Sequence, residues 1–161
     1  MEELFTLRQH IEQHRYDEAL LLLGEMDEMS REDKLNKIGS FAMILLLHLI
    51  KQAAEKRTTR SWDISIRNAT WEIARINKRR KAGGYYLDDA ELRETLEDVF
   101  PIAVANASLE AFEGQCSEDE LRKMIDRQDI LRQAMALIAA HHSMNSQAGS
   151  KTFDVLETAN V

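Results

Sequence analysis

A chain of 161 residues, 44% apolar and 30% charged, has the size and composition of one globular domain that buries a core without disulfides or metal. One proline and six glycines are too few for a many-turned β fold, and the single cysteine, Cys116, excludes an internal disulfide and favours a reducing compartment. The net charge of −7 disfavours a uniformly basic, nucleic-acid-binding surface.

The N-terminal residues predict two helices and no targeting segment. Leucine and isoleucine recur at helical spacing within residues 4–11, and Asp17 can cap a short helix whose apolar positions are 20–23. The chain starts with acids, unlike a signal peptide, and the longest apolar run, 41–50, is about half as long as a bilayer requires. We therefore expect a cytoplasmic protein without a membrane segment.

Residues 31–57 predict a long central helix. Ser30 and Asp33 have the spacing of a capping box. From residue 41 to residue 50 the helix is apolar nearly all round, as in a helix surrounded by others. A buried strand can produce the same short run, but the flanks lack proline and turn residues, which favours the helix.

The next helix is predicted over residues 59–82. A Thr or Ser within residues 58–61 can cap it, and the glycine pair 83–84 can end it. A narrow apolar seam runs along it at steps of three and four: Trp62, Ile66, Ala69, Ile73 and Ile76. Because the link to the 31–57 helix is short, we expect the two helices to pack antiparallel at the centre, with Trp62 in the core.

Two further helical segments follow. Pro101 should kink the first of them or start a new helix, and a Ser-x-x-Glu capping box opens the last helix, 117–142. Residues 143–161 lose the pattern and predict a flexible tail. The chain is thus expected to be all-α: a single-domain bundle of five to seven helices over residues 1–142.

The order of residues from the central helix into the next one resembles a known bacterial family. The chain carries LLLHLIK at 45–51, RSW at 60–62 and SIR at 65–67. This order is similar to the family catalogued as domain of unknown function twenty-nine, largely cyanobacterial. Its pattern has an acidic helix, a leucine-rich helix ending in His-Leu-Leu-Lys, then Arg-Ser-Trp, two residues and Ser-Ile-Arg. The matching positions are Glu25, Glu28, Ser40, His48, Lys51, Arg60, Ser61, Trp62, Ser65, Ile66, Arg67, Glu72 and Ile73.

The resemblance covers about residues 4–112 and leaves the last helix as an addition to a family-like core. The tryptophan and proline that usually follow the His-Leu-Leu-Lys block are absent here. The resemblance implies an all-helical fold and brings no established activity.

His48 is a lone histidine within the leucine run. Leaving it unpaired in a core would cost about 1–3 kcal/mol, so we expect a structural histidine that bonds to a neighbouring helix. A metal-dependent enzyme would need carboxylates to converge on it, as in some helical bundles. The candidate polar cluster is His48, Glu25, Glu28, Ser61, Ser65, Arg67 and Glu72. The chain lacks paired Glu-x-x-His, phosphate-loop and nucleophile-elbow motifs, so we assign no catalytic residue, metal or cofactor.

A basic segment lies between acidic flanks. Residues 51–81 hold ten Lys or Arg side chains against three acids, and they end in a candidate basic patch of Lys78, Arg79, Arg80 and Lys81. Such a cluster can meet the phosphates of a nucleic acid. The acidic helices of the same chain can neutralise it instead.

The favoured function is that of a protein-interaction module, which binds an acidic partner or a second copy of the chain. The 117–142 helix carries a methionine-containing stripe of Leu121, Met124, Leu131, Met135 and Ile138, which predicts an exposed apolar surface and a homodimer. The alternatives are contact with nucleic acid through residues 51–81 and a metal-dependent enzyme around His48.

Overall fold

The computed structural model describes residues 2–79 and 83–157, with side chains to residue 144. Within these ranges the protein is helical, which confirms the predicted fold class and helix number. The six α-helices are α1 (Glu2–Glu12), α2 (Tyr16–Glu55), α3 (Arg60–Asn77), α4 (Asp89–Glu110), α5 (Glu118–Met124) and α6 (Arg127–Glu157). A short 3-10 segment, Ala111–Gly114, follows α4.

The chain divides into two compact units, residues 1–36 and residues 37–161. The sequence predicts one domain over residues 1–142, and that boundary stays a prediction. α2 contributes its first half to the first unit and its second half to the second unit.

In the first unit, α1 ends in a left-handed turn at His14, whose φ is 58°. The backbone N–H of His14 donates to the carbonyl of Ile11 at 3.1 Å, and that of Arg15 donates to the carbonyl of His10 at 2.8 Å. These two bonds satisfy carbonyls that the end of a helix leaves free. α2 therefore begins directly after a compact turn.

α2 is a single helix of 40 residues, where the sequence predicts a short helix followed by one over 31–57. Ser30 and Asp33 lie inside it, so the capping box expected there does not start a helix. The stretch between Gly24 and the apolar run contains no proline and is rich in good helix formers, which lets the helix continue.

α2 is also long and apolar enough to cross a membrane by length and composition, with a mean hydropathy of 1.3 over its most apolar stretch. Half of that stretch is buried inside the protein. The core helix of a bundle has the same property, so the absence of a membrane segment stays a prediction.

In the second unit, residues 56–59 join α2 to α3. Thr59 caps α3, because its hydroxyl oxygen accepts a hydrogen bond from the N–H of Trp62 at 3.1 Å, as the sequence predicts for one of residues 58–61. Near the link, Gln52 donates to Asp63 Oδ1 at 3.2 Å. Leu49 and Gln52 of α2 line one groove together with four residues of α3, so the two helices lie side by side. Helices that lie side by side across so short a link run antiparallel.

The predicted seam of α3 is buried throughout, which confirms the interpretation of its periodicity. α3 nevertheless ends at Asn77 and not at residue 82. The Asn77 carboxamide donates to the carbonyl of Leu87 at 3.1 Å and accepts from its N–H at 2.8 Å, so the chain folds back along the end of the helix. Gly83 and Gly84, both with φ of 73°, lie in the returning loop and do not cap α3.

α4 runs through Pro101 as one helix, although the sequence allows a kink or a new start there. Asp88 caps its N-terminus by accepting from the N–H of Glu91 at 2.8 Å. At its C-terminal end the chain turns through Phe112 and Glu113, both in the left-handed region with φ of 51° and 57°. Gly114, with φ of 78°, completes this turn. Glycine suits this position because an added Cβ would lie 3.0 Å from a backbone carbonyl oxygen.

The predicted 117–142 helix is two helices. The capping box that opens α5 is confirmed: Ser117 and Glu120 exchange two hydrogen bonds of 3.2 Å. Ile125 is extended, and Asp126 Oδ1 then accepts from the N–H groups of two following residues to start α6. Because an aspartate can cap as well as continue a helix, the apolar period alone hides this break.

α6 is a core helix of the second unit and packs against α3 and α4, while α4 also packs against α5. Its fully buried side chains include Ile130, Leu131, Ala134 and Ile138. α6 continues past residue 143 to Glu157, so the predicted tail has a helical backbone to that residue. The flexibility of the tail stays a prediction.

Candidate functional site

Lys51 of α2 is a buried cation at the meeting point of three helices. Its Nζ lies 2.8 Å from Oε2 of Glu110, near the end of α4, and 4.4 Å from the ring centre of Trp62 on α3. Only 8% of the Lys51 side chain is exposed. An ammonium group removed from water needs a counter-charge and hydrogen-bond partners, and here the carboxylate and the indole face supply them.

Trp62 is buried, as predicted, and it also faces a second cation. The guanidinium of Arg57 lies 4.8 Å from its ring centre and is held by Glu55, whose Oε1 is 3.2 Å from Arg57 Nη2. The indole is therefore both a core side chain and the contact of two positive charges.

His48 lies one helical turn before Lys51 and is half-buried. Its Nδ1 is buried and has no hydrogen-bond partner among the residues that the structure describes. Burial lowers the pKa of the imidazole, and the positive charge of Lys51 lowers it further, while Glu110 opposes the shift. His48 is therefore neutral near pH 7. The side-chain hydrogen bond expected for it from a neighbouring helix is not formed in the described part of the chain.

Glu110, the partner of Lys51, lines two cavities. One, of about 380 Å³, is lined by His48, Asn106 and Glu110 together with apolar side chains of α2. The other, of about 410 Å³, is lined by Arg57, Trp62 and Glu110. The site thus offers a neutral imidazole, a carboxamide and a paired ammonium–carboxylate couple. The Lys51–Glu110 pair bridges two helices, and the Lys51 charge is already compensated by it. The neutral imidazole can accept a hydrogen bond.

The other members of the predicted polar cluster do not line the cavity that contains His48. Glu25 and Glu28 belong to the first unit and to the same helix as His48, not to a neighbouring one. Glu72 Oε2 pairs with Arg75 at 2.6 Å on its own helix. Ser61 is exposed.

Two further members of that cluster, Ser65 and Arg67, lie on α3; Ser65 is half-buried and Arg67 is exposed. Arg67 lines a separate groove. No group of three metal-ligating side chains occurs among the residues that the structure describes. The residues that do surround His48 are Asn106 and Glu110. Neither has a spacing or motif that would have identified it in the sequence.

The predicted basic patch is divided. Lys78 is exposed, whereas the Arg79 guanidinium lies 5.0 Å from the ring centre of Tyr86. Arg80 and Lys81 lie outside the described residues. Elsewhere in the basic segment, Lys51, Arg57 and Arg75 each pair with a glutamate of this chain. Part of the positive charge is therefore compensated inside the protein.

The predicted stripe of the C-terminal helices lies mostly in the core. Leu121, Leu131 and Ile138 are fully buried and Met135 is half-buried. Met124 is 49% exposed. Since packing within the protein covers most of this stripe, little of the surface expected for a homodimer remains, and the dimer stays a prediction.

In the first unit, by contrast, most large apolar side chains are exposed. Within residues 2–36 the only buried residue is Ala19. The large apolar side chains that are exposed there are Leu4, Phe5, Ile11, Tyr16, Leu20, Leu21, Leu23 and Met29. We call this set the N-terminal apolar surface.

Comparison with known proteins identifies a family. The family model described as "Domain of unknown function DUF29" matches residues 6–130. The match reaches through α5 into the start of α6, beyond the limit near residue 112 expected from the resemblance. No curated protein and no solved structure matches the chain.

Proposed function

Since the chain belongs to the DUF29 family, a family of unknown function, we propose a function from its surface: it is a non-catalytic protein-interaction module. Its contact surface is the N-terminal apolar surface on α1 and the first half of α2. The observation that carries the proposal is the exposure of eight large apolar side chains in a unit of 36 residues. Contiguous exposed apolar patches usually mark contacts with other proteins.

The helical form of this surface supports the proposal. Leu20 and Leu21 are 65% and 71% exposed on a continuous helix, and Phe5 is 63% exposed on α1. Helices bind other proteins by laying exposed apolar side chains against a partner's helix or groove. A rigid helix presents such side chains without a large ordering cost on binding.

The charge of the first unit favours a basic partner. Residues 1–36 carry ten carboxylates and four Lys or Arg side chains, a formal balance of −6. Two copies of so acidic a surface repel each other, whereas a basic amphipathic segment is attracted. The sequence alone suggested an acidic partner, because it drew attention to the basic segment. We place this interaction in the cytoplasm, in keeping with the single cysteine.

Paired substitutions in the full-length chain test the proposal. Leu20→Ser with Leu21→Ser removes exposed apolar area without touching a core, and Ile102→Ser with Leu109→Ser does the same on α4, where the two side chains are 58% and 74% exposed. Light scattering reports self-association, and affinity purification from the source cells, quantified by mass spectrometry, reports other partners.

We expect a stoichiometric partner that is lost from the α2 pair and retained by the α4 pair. Loss of the partner from both pairs, or retention by both, contradicts the assignment of the contact to the N-terminal apolar surface. A full-length protein that is monomeric and purifies without a partner contradicts the interaction itself.

A further inference from the structure

A groove of about 540 Å³ lies between the second half of α2, α3 and α6, and all of its lining residues belong to the unit of residues 37–161. Leu49, Ile66 and Leu137 form its apolar wall, and Ala136 stands at its side. This volume lies within the range in which proteins bind small molecules, and such sites combine an apolar lining with a few polar groups. The groove shares no lining residue with the Lys51–Glu110 site or with the N-terminal apolar surface.

Four of the polar residues that line the groove are already bonded within the protein. Asp63 Oδ1 accepts from Thr58 at 2.7 Å and from Gln52 at 3.2 Å. The Thr70 hydroxyl donates to the carbonyl of Ile66 at 2.6 Å, and Gln133 donates to Asp129 at 3.3 Å. Each of these four groups therefore has at least one partner within the protein.

Two residues of the lining, Arg67 and His141, differ from those four. Neither makes a hydrogen bond or an ion pair with any residue that the structure describes. Asp63 lies one turn before Arg67 and would be its natural partner on the helix. Asp63 Oδ1 instead accepts from Gln52 and Thr58, and the Arg67 guanidinium forms no ion pair with a carboxylate that the structure describes.

We propose that this groove binds a small amphipathic carboxylate, with its hydrocarbon chain against Leu49, Ile66 and Leu137 and its carboxylate on Arg67. The planar guanidinium matches a carboxylate with two parallel hydrogen bonds, which makes arginine suited to this anion. His141 supplies a further polar contact at the same groove. The apolar wall accounts for the chain of the ligand, and the unpaired cation accounts for its headgroup.

Octanoate is a suitable probe because it joins a flexible hydrocarbon chain to one carboxylate. Isothermal titration of the full-length protein with octanoate, 1-octanol and acetate separates the two parts of the ligand. Arg67→Gln removes the charge at an exposed position and should not affect folding. Arg75→Gln is the matched control, since this arginine lies on the same helix but pairs with Glu72 and faces the ring of Trp71. Ala136→Phe fills the groove.

We expect octanoate to bind at one site, and acetate not to bind. Arg67→Gln should weaken octanoate about ten- to hundredfold, the range of a charged hydrogen bond, and leave 1-octanol unchanged. Arg75→Gln should bind as the natural sequence does, and Ala136→Phe should bind neither chain. The inference is overturned if octanoate fails to bind, if Arg67→Gln binds it equally well, or if Ala136→Phe retains it. None of these outcomes depends on the protein-interaction surface.

Discussion

Lys51 Nζ and Glu110 Oε2 lie 2.8 Å apart although 59 positions separate the two residues in the chain. The pair connects the buried end of α2 to the end of α4, and the indole of Trp62 covers the ammonium from α3. The ammonium of Lys51 on α2 therefore contacts side chains of two other helices, α3 and α4. Nothing in the sequences of the three helices indicates these contacts.

Removing the charge of Glu110 should destabilise the protein. Glu110→Gln leaves a buried ammonium without its counter-charge. Breaking a fully buried pair costs about 3–5 kcal/mol, but half of the Glu110 side chain is exposed, so we expect a loss of about 1–2 kcal/mol in the free energy of unfolding. Urea denaturation measures it. Glu113→Gln, an exposed neighbour, should have no effect, and equal losses in the two variants would contradict the role of the pair.

The two tryptophans should differ in their contribution to stability. Trp62 is buried on the seam of α3, so Trp62→Ala should lower the free energy of unfolding by about 3–5 kcal/mol. Trp71 is 46% exposed on the same helix, so Trp71→Ala should lower it by less than about 1 kcal/mol. Thermal unfolding followed by circular dichroism compares them. A Trp62 variant that keeps the parent's stability but loses binding would mark this side chain as a contact residue.

His48 should make stability depend on pH. Its pKa in the folded protein is lowered from the ordinary 6.5, so the unfolded chain binds the proton more readily. Above pH 6.5 the ring is neutral in both the folded and the unfolded protein, so its protonation does not affect stability. The free energy of unfolding falls as the pH drops through 6.5 towards the lowered pKa. We expect His48→Gln to lose less stability than the natural sequence between about pH 7.5 and pH 5.5 in urea denaturation. Parallel losses in both proteins would show that other groups cause the pH effect.

Nucleic-acid binding through the basic segment should be weak. Three of its cations pair with glutamates of this chain, and Arg79 lies against Tyr86. We expect no complex in a gel shift with duplex DNA or RNA at physiological salt. A complex that dissociates steeply with added salt and disappears in Arg79→Glu with Arg80→Glu would instead support the phosphate-binding hypothesis.

Local features were predictable because each depends on a few neighbouring residues. The seam from Trp62 to Ile76 follows from helical periodicity, and the caps at Thr59 and Ser117 follow from a hydroxyl placed before a helical run. The break at Ile125 is not evident from the sequence because the apolar spacing continues across it. Ser30 and Asp33 have the spacing of a cap, but the good helix formers around them and the absence of proline let α2 continue.

The sequence by itself determined that this protein is all-α, which residues of α3 face the core, and the family to which it belongs. Only the tertiary structure decided which distant side chains meet. Glu110 could reach Lys51 only once α4 packed beside α2, and Asp63 is bonded across the α2–α3 link although Arg67 lies one turn after it on the same helix. Periodicity reports which face of a helix avoids water, whereas the pairing of charges depends on where another helix places its end.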